Sequence, residues 1–281
     1  MANSGELRPA APAFPLSPDR AFFSLWHNRQ LVRDLVVRDI ASRYRGSALG
    51  IVWSLLQPLI LLTIYTVVFG LILPTRWPQS DGTAGFALTF FAGLIVFNFF
   101  AECISRSPLL ILNNPNFVKK VVFPLETLSW MAIGSALFQL SVSVVVWLIF
   151  HAIVRGVPSW TVLWLPVVIL PLAMLTLGAS WMLASVGVYI RDVTQLVGLM
   201  CTGLLFLSPV FYATSSVPER FRALLYVNPL TFPIEQARHV LLDGQLPDLA
   251  GLALFLAVSC LFAWAGYVWF QRTRPGFTDV I

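Results

Sequence analysis

Charged residues are scarce in this chain, which restricts the kinds of protein it can be. Only 11% of its 281 residues are Asp, Glu, Lys or Arg, whereas 58% are hydrophobic. A soluble domain usually carries about 25% charged residues, so this chain has too few polar groups to cover a surface that faces water. Lipid is therefore the expected solvent for most of the chain, and membrane spans are its natural subdivisions.

Cysteine, histidine and lysine are rarer still, and their positions exclude several kinds of site. The three cysteines fall in apolar runs, and three such thiols give neither a disulfide framework nor a metal spacing. The three histidines are far apart and form no HExxH pattern. The only two lysines, Lys119 and Lys120, do not follow the glycines of a phosphate-binding loop. We therefore predict no metal site, no catalytic residues, no cofactor bound by this chain and no nucleic-acid partner.

Long apolar runs take the place of these motifs. A bilayer with a hydrocarbon core of about 30 Å needs about 20 helical residues to cross it, and the runs lack the alternation of barrel strands. The sequence therefore predicts an all-α integral membrane protein, with a transmembrane domain over 46–281. Its six predicted transmembrane helices are 51–73, 86–104, 127–150, 162–190, 193–213 and 249–270.

The fourth and fifth runs are separated only by Arg191 and Asp192. At the centre of a bilayer, each of these charges would cost about 2.5–3.5 kcal/mol. A turn at the membrane surface removes that cost, so we predict two helices rather than one long one.

The segments outside the spans have their own patterns. Residues 1–21 are rich in proline and alanine, and we predict a flexible N-terminal tail. Residues 22–45 mix charged and apolar residues with helical spacing, which predicts an amphipathic interface helix on the cytoplasmic surface; an ordinary positively charged flank is the alternative. Residues 214–246 predict two short extracytoplasmic helices before the last span.

The distribution of lysine and arginine predicts the orientation. Most of them lie before the first span or in the segments that follow the second, fourth and sixth spans. Because cytoplasmic segments of membrane proteins are enriched in these residues, both termini are expected in the cytoplasm.

Two patterns suggest functional surfaces. Residues 113–126 combine asparagines, an aromatic ring and both lysines in a short cytoplasmic segment, which suits docking to a soluble partner; charge-driven topology alone is the alternative. In the second span Phe86, Phe90, Phe97 and Phe100 share one helix face, where aromatic rings can stack on sugars; helix packing or lipid contact is the alternative. Glu102, near the inner end of this span, is a candidate functional carboxylate; a structural i,i+4 pair with Arg106, or snorkelling to the surface, is the alternative.

Five segments, in the same order, resemble the membrane subunits of bacterial ABC-2 type polysaccharide exporters, which move O-antigen, capsule and teichoic acid polymers. The resemblance covers residues 25–270, and the tail lies outside it. The segments are RDLVVRDIASRYRGSALGIVWSLLQPLILLTIYTVVF at 33–69, NNPNFVKKVVFPLE at 113–126, YIRDV at 189–193, SPVFY at 208–212 and NPLTFPIEQAR at 228–238.

This resemblance implies a homodimer in the bacterial inner (plasma) membrane, with two copies of a cytoplasmic ABC ATPase subunit that binds ATP and Mg. A lipid-linked polysaccharide, similar to O-antigen, would pass between the protomers. The implied ATPase-coupling residues are Arg38, Arg43, Asn116, Phe117, Lys119 and Lys120. The implied channel-lining residues are Trp53, Tyr65, Phe86, Phe90, Phe97 and Phe100. The implied outer gate contains Phe211, Tyr212, Arg220, Arg222 and Tyr226.

Two other functions stay open on the sequence. One is an ABC-2 exporter of drugs or lipids. The other is a membrane enzyme that acts on lipid-linked sugars, which would need a carboxylate or metal cluster near the interface. We predict a transporter subunit rather than an enzyme, with ATP hydrolysis on the separate nucleotide-binding subunit.

Overall fold

The computed structural model describes residues 25–68, 82–118 and 123–280, and the regular elements in these ranges are all helical. The predicted tail at 1–21, the end of the first predicted span, and Lys119 and Lys120 lie outside them. The α-helices are α1 Arg29–Arg43, α2 Trp53–Tyr65, α3 Gly82–Arg106, α4 Pro115–Val118, α5 Thr127–Arg155, α6 Leu165–Tyr189, α7 Val193–Leu207, α8 Glu219–Val227, α9 Thr231–Leu241, α10 Leu249–Thr273 and α11 Phe277–Val280.

The predicted all-α membrane fold is confirmed. Within the described ranges, five helical stretches of 19 to 30 residues are long and apolar enough to cross a bilayer. They contain α2, α3, α5, α6 and α10, which correspond to five of the six predicted spans. The stretches are Gly50–Val68, Gly82–Leu109, Thr127–Arg155, Trp160–Tyr189 and Leu249–Gly276.

The predicted fifth span, 193–213, is shorter than expected as a helix. It contains α7, which is apolar but has 15 residues and ends at Leu207. Pro209 explains the end, because a proline disfavours helical geometry in the residue before it, and Ser208 is extended. At 1.5 Å per residue α7 covers about 22 Å, less than a hydrocarbon core. The total of six spans therefore stays a prediction.

The other helices fall within the segments in which the sequence predicts them. α6 ends at Tyr189 and α7 begins at Val193, so Arg191 and Asp192 lie exposed in the predicted turn. α1 falls within the predicted interface segment, and α8 and α9 within the predicted outer segment. The position of these three helices at a membrane surface stays a prediction.

α3 is the central helix of the protomer. Every residue from Gly85 to Phe97 is buried, and α3 packs against α5, α6, α7 and α9. A helix that is apolar all round is expected to be buried by other helices. α3 therefore occupies the core and connects the two ends of the molecule.

The most extensive helix pair is α6 with α10, and glycines allow its close approach. A Cβ atom on Gly178 of α6 would lie 2.7 Å from the Cα atom of Ala263 on α10, and one on Gly266 would meet the carbonyl oxygen of Gly178. Small residues at crossings bring helix backbones close together in membranes, where packing replaces the hydrophobic effect.

We expect Gly178→Ala to lower the free energy of unfolding by about 1–3 kcal/mol, because the added methyl group meets backbone that cannot rotate away. The measurement is the unfolding midpoint of the purified protein in detergent. Gly198→Ala in α7 is the matched control, since its Cβ has no neighbour within 4 Å and alanine favours helix. Equal destabilisation by both variants would show that the crossing is not tightly packed.

Candidate functional sites at the two ends of the helical bundle

A network of four charged side chains joins α1 to the end of α3. Arg106 on α3 donates from Nη2 to Oδ1 of Asp39 on α1, at 2.6 Å. Arg43 on α1 donates from Nη2 to Oδ2 of Asp39, at 3.2 Å, and from Nη1 to Oε1 of Glu102 on α3. Glu102 and Arg106 form the predicted i,i+4 pair, at 3.9 Å. We call these four residues the charge network, and the part of the molecule that holds it the α1 end.

The charge network favours the ionised form of its central carboxylate. Burial acts to raise the pKa of Asp39, but the hydrogen bond and charge of Arg106, with the charge of Arg43, hold this pKa below its ordinary value. Asp39 is therefore fully ionised at neutral pH. It binds both arginines, and through Arg106 it ties α1 to α3.

A second contact connects α1 to α4. The guanidinium carbon of Arg38 lies 5.2 Å from the ring centroid of Phe117, and the Phe117 ring stacks on Phe123 at 4.2 Å between centroids. The contact between Arg38 and Phe117 is a cation–π interaction. Together with the stacked ring of Phe123, it holds the Phe117 ring in place. Asn116 is exposed beside them. We call the surface formed by Arg38, Asn116 and Phe117 the α1–α4 face.

Aromatic rings from three parts of the chain form a cluster in the other half of the bundle. Phe90 of α3 lies 4.7 Å from Tyr65 of α2 and 5.2 Å from Phe211, between ring centroids. Phe86 stacks on Phe90 at 6.2 Å, and Phe206 of α7 stacks on Phe211 at 5.5 Å. We call these five rings the aromatic cluster. It connects the central helix with the segment that leads to α8.

The predicted gate residues divide into separate groups. Tyr212 donates its hydroxyl to the carbonyl of Phe206, beside the aromatic cluster. Arg220 lies over the ring of Phe221 at 4.8 Å. Arg222 donates to the carbonyl of Val217, at 3.0 Å from Nε. Tyr226 is 65% exposed.

Comparison with known proteins identifies the family to which the chain belongs. The model of the ABC-2 type transporter family matches residues 30–242, from the first turn of α1 to the end of α9. The chain belongs to the ABC-2 type transporter family.

Named relatives cover almost the whole chain. The O-antigen export system permease protein of Myxococcus xanthus is 28% identical over 259 residues, covering 92% of this chain and 97% of that one. An O-antigen export system permease protein of Klebsiella pneumoniae is 24% identical, covering 91% and 98%. The polysialic acid transport protein of Escherichia coli is 26% identical, covering 86% and 93%.

In this ABC-2 protein, the structure brings together some of the residues that were predicted to contact the ATPase. Arg38, Asn116 and Phe117 lie on the α1–α4 face, and Arg43 lies in the charge network. Lys119 and Lys120 continue the chain directly after α4, outside the described residues. The role of these residues in coupling stays a prediction.

The predicted channel residues lie mostly inside the protomer. The rings of Phe86, Phe90, Phe97 and Phe100 are buried among neighbouring helices, and Tyr65 packs on Phe90. Trp53, by contrast, is 42% exposed at the start of α2. The buried rings reach a passage only if the helices around them separate, so their role in a channel stays a prediction.

Sequence reasoning missed a buried arginine. Arg238 of α9, which the residue pattern places on the outer surface, is 8% exposed. It donates from Nε to the carbonyl of Thr89 at 3.2 Å and from Nη2 to the carbonyl of Val210 at 3.0 Å. Burial lowers the pKa of Arg238 to about 10, and it stays protonated at neutral pH. Gly93 in the middle of the bulky α3 face was the available signal, because a Cβ there would lie 2.7 Å from Nη2 of Arg238.

A cavity at the α1 end, with several polar side chains in its wall, was also missed. It holds about 680 Å³ between α1, α2, α3 and α5, next to the charge network. Gln57, Asn98 and Gln139 line it, and Nε2 of Gln139 donates to the carbonyl of Ser54 at 3.0 Å. In the part of the chain that the structure describes, no group of three His, Cys, Asp or Glu side chains is placed to hold a metal ion.

Proposed function

We propose that this chain is the channel-forming permease subunit of an ATP-driven exporter. Its substrate is a lipid-linked polysaccharide of the O-antigen kind, which it moves from the cytoplasm across the bacterial inner membrane. The observation that carries this proposal is the near full-length similarity to two kinds of polysaccharide transport protein, each covered over more than nine tenths of its length. The bundle of long apolar helices supports a role within the membrane.

The energy comes from a separate subunit. The sequence has no phosphate-binding loop of its own, so ATP and Mg bind to a cytoplasmic ABC ATPase, in two copies per exporter. The α1–α4 face suits the docking of this partner, because it offers an aromatic ring, an exposed amide and a guanidinium group, and the two lysines follow α4 in the sequence. Docking of Phe117 in a groove of the ATPase, with cations at its rim, would give both affinity and orientation.

A continuous set of contacts supports the transmission of motion from this face. α1 is tied to α3 by the charge network, and α3 packs against most of the bundle. Phe90 of α3 contacts Phe211, which precedes α8 and α9. Movement of α1 by the ATPase would therefore shift α3 as a rigid body and change the position of the outer helices.

A second copy of the chain completes the exporter. The spans that contain α2, α5 and α10 keep most of their side chains unburied within the protomer, so lipid and a partner protomer cover them. Trp53 lies on such an exposed part of α2. We therefore place the polysaccharide channel between two protomers, where neither copy alone encloses it.

Transport into inverted inner-membrane vesicles tests the proposed function. Vesicles that contain this chain, its ATPase and a radiolabelled lipid-linked glycan are expected to accumulate glycan in the lumen when ATP is added. An ATPase variant without its phosphate-loop lysine is the control and should give none. Glycan entry that is independent of ATP or of the ATPase would refute the proposal.

The lysine pair provides a separate test of docking. We expect Lys119→Glu with Lys120→Glu to lower co-purification with the ATPase at least about tenfold, because reversed charges at the rim repel a complementary surface. The matched control is Arg33→Glu with Arg272→Glu, which changes the net charge equally at two exposed positions. Undiminished co-purification of the lysine variant would remove the pair from the interface.

A further inference from the structure

A cleft of about 450 Å³ opens at the end of the molecule that carries α8 and α9. It lies between these two helices, residues 213–215, Thr89 in the first half of α3, and the end of α5. Its volume falls within the range of about 300–1,000 Å³ that is typical of small-ligand sites. The sequence did not predict a ligand site here. Two residues of the predicted outer gate, Arg222 and Tyr226, line the cleft.

Three arginines and two carboxylates line the cleft, which leaves an excess of one positive charge when His239 is neutral. Arg238 lies buried in its wall, Arg222 lines it from α8, and Arg155 lies exposed at the end of α5. Arg155 makes no ion pair or hydrogen bond with the residues that the structure describes. An exposed guanidinium group that has its donors available is suited to bidentate binding of a carboxylate or phosphate.

The two carboxylates of the cleft already have partners. Glu235 accepts a hydrogen bond from the hydroxyl of Thr214. Oδ2 of Asp243 lies 3.0 Å from Nδ1 of His239, and this hydrogen bond raises the pKa of His239 above its ordinary value. Arg222 donates to the carbonyls of Val217 and Ser215 and lies 3.9 Å from Glu219. Arg155 is therefore the group best placed to receive a ligand.

The remaining lining suits a sugar. Tyr226 is 65% exposed and borders the cleft, where its ring can stack on the C–H face of a pyranose. Ser215 adds a hydroxyl near the arginines. An aromatic ring beside planar charged groups and hydroxyls can contact both faces of a saccharide, whereas a lipid headgroup would need only the charges.

We propose that this cleft binds a short saccharide segment that carries an anionic group, such as a carboxylate or a phosphate, on the outer side of the membrane. Arg155 and Arg222 bind the anion, Tyr226 stacks on a sugar ring, and Arg238 sets the shape of the wall. The choice of a saccharide rests on the proposed function, whereas the cleft and its charge do not. The cleft would hold the emerging polymer after it leaves the channel.

Ligand binding to the full chain tests this proposal. The protein is placed in nanodiscs of neutral phosphatidylcholine, and saturation-transfer NMR measures binding of a glucuronic acid–N-acetylglucosamine disaccharide. We expect Arg155→Gln to weaken this binding about tenfold, because one charge-assisted contact is lost. Tyr226→Ala should weaken the binding of this disaccharide and of neutral maltose. Arg272→Gln makes the same change at an exposed position in the last turn of α10, which does not line the cleft, and this variant should bind like the unmodified protein.

Three outcomes would overturn the proposal. They are no saccharide binding by the unmodified protein, equal affinity in all variants, and loss of binding when anionic phosphatidylglycerol replaces the neutral lipid, which would make the cleft a headgroup site. The assay needs neither ATP nor the ATPase. Vesicles that export glycan while the cleft binds none would therefore reject the cleft alone, and saccharide binding without any export would reject the proposed function alone.

Discussion

Phe90→Ala is expected to lower the free energy of unfolding by about 3 kcal/mol. Its ring is 0% exposed and contacts both Tyr65 and Phe211. Phenylalanine-to-alanine changes in protein cores cost about 3–5 kcal/mol, and the lower end applies here because lipid is as apolar as the protein interior. The loss therefore comes mainly from the cavity and the missing ring contacts.

The matched control for this substitution is Phe206→Ala, in the same aromatic cluster but 63% exposed. Unfolding midpoints in detergent, measured by denaturant titration, should fall much more for Phe90→Ala. Equal losses would contradict the burial of Phe90 in the folded protein. A lower export rate in Phe90→Ala cells is not by itself a sign of channel contact, because less folded protein would give the same result.

Arg43→Glu is expected to uncouple α1 from α3 and to reduce ATP-driven export more than about tenfold. The substitution puts three carboxylates together, since Asp39 and Glu102 both bind Arg43. Asp39 and Glu102 would then share the single cation Arg106, and three carboxylates at this distance repel one another. Among the described residues, only Arg106 would then link the charged side chains of the two helices, so α1 should stay packed against α5 but lose its fixed position relative to α3.

Charge exchange separates this effect from general damage. In the double variant Arg43→Glu with Glu102→Arg, opposite charges face each other again, and we expect export and protection of α1 from hydrogen exchange to recover in part. Arg33→Glu, at an exposed position of α1, is the control and should retain both. Failure of the exchange to restore either quantity would show that the charge network does not connect α1 and α3 functionally.

The spans were predictable because lipid imposes a simple requirement. A helix needs about 20 apolar residues to satisfy its backbone across a bilayer, and this constraint is local in sequence. The turn at Arg191 and Asp192 follows from the cost of charge in lipid for the same reason. α7 shows the limit, because a long apolar run does not reveal that the helix ends at Leu207, ahead of Pro209.

The functional surfaces were less predictable because they depend on which helices meet. The spacing of Glu102 and Arg106 predicts their i,i+4 pair. Nothing in the adjacent sequence shows that Arg43, 59 residues before Glu102, and Asp39, 67 residues before Arg106, bind to this pair. A face of phenylalanines predicts stacking without showing whether a sugar or another helix is the partner, and Phe90 contacts Tyr65 of α2 and Phe211 as well as Phe86 on its own helix.

Arg238 shows the same limit at the other end of the bundle. Its charge favours an exposed position, and only the carbonyl groups of Thr89 and Val210, supplied by distant segments, make its burial possible. The cleft beside it is likewise formed by five separate parts of the chain. Such sites follow from the packing of helices, which periodicity in one sequence does not determine.

The proposed function is tested by the amount of glycan on the cell surface after deletion of the gene for this chain. We predict that surface polysaccharide disappears while its lipid-linked form accumulates on the cytoplasmic side, and that the intact gene restores export. Unchanged surface polysaccharide in the deletion strain, with no lipid-linked polymer retained inside, would contradict the central claim that this protein carries the polymer across the membrane.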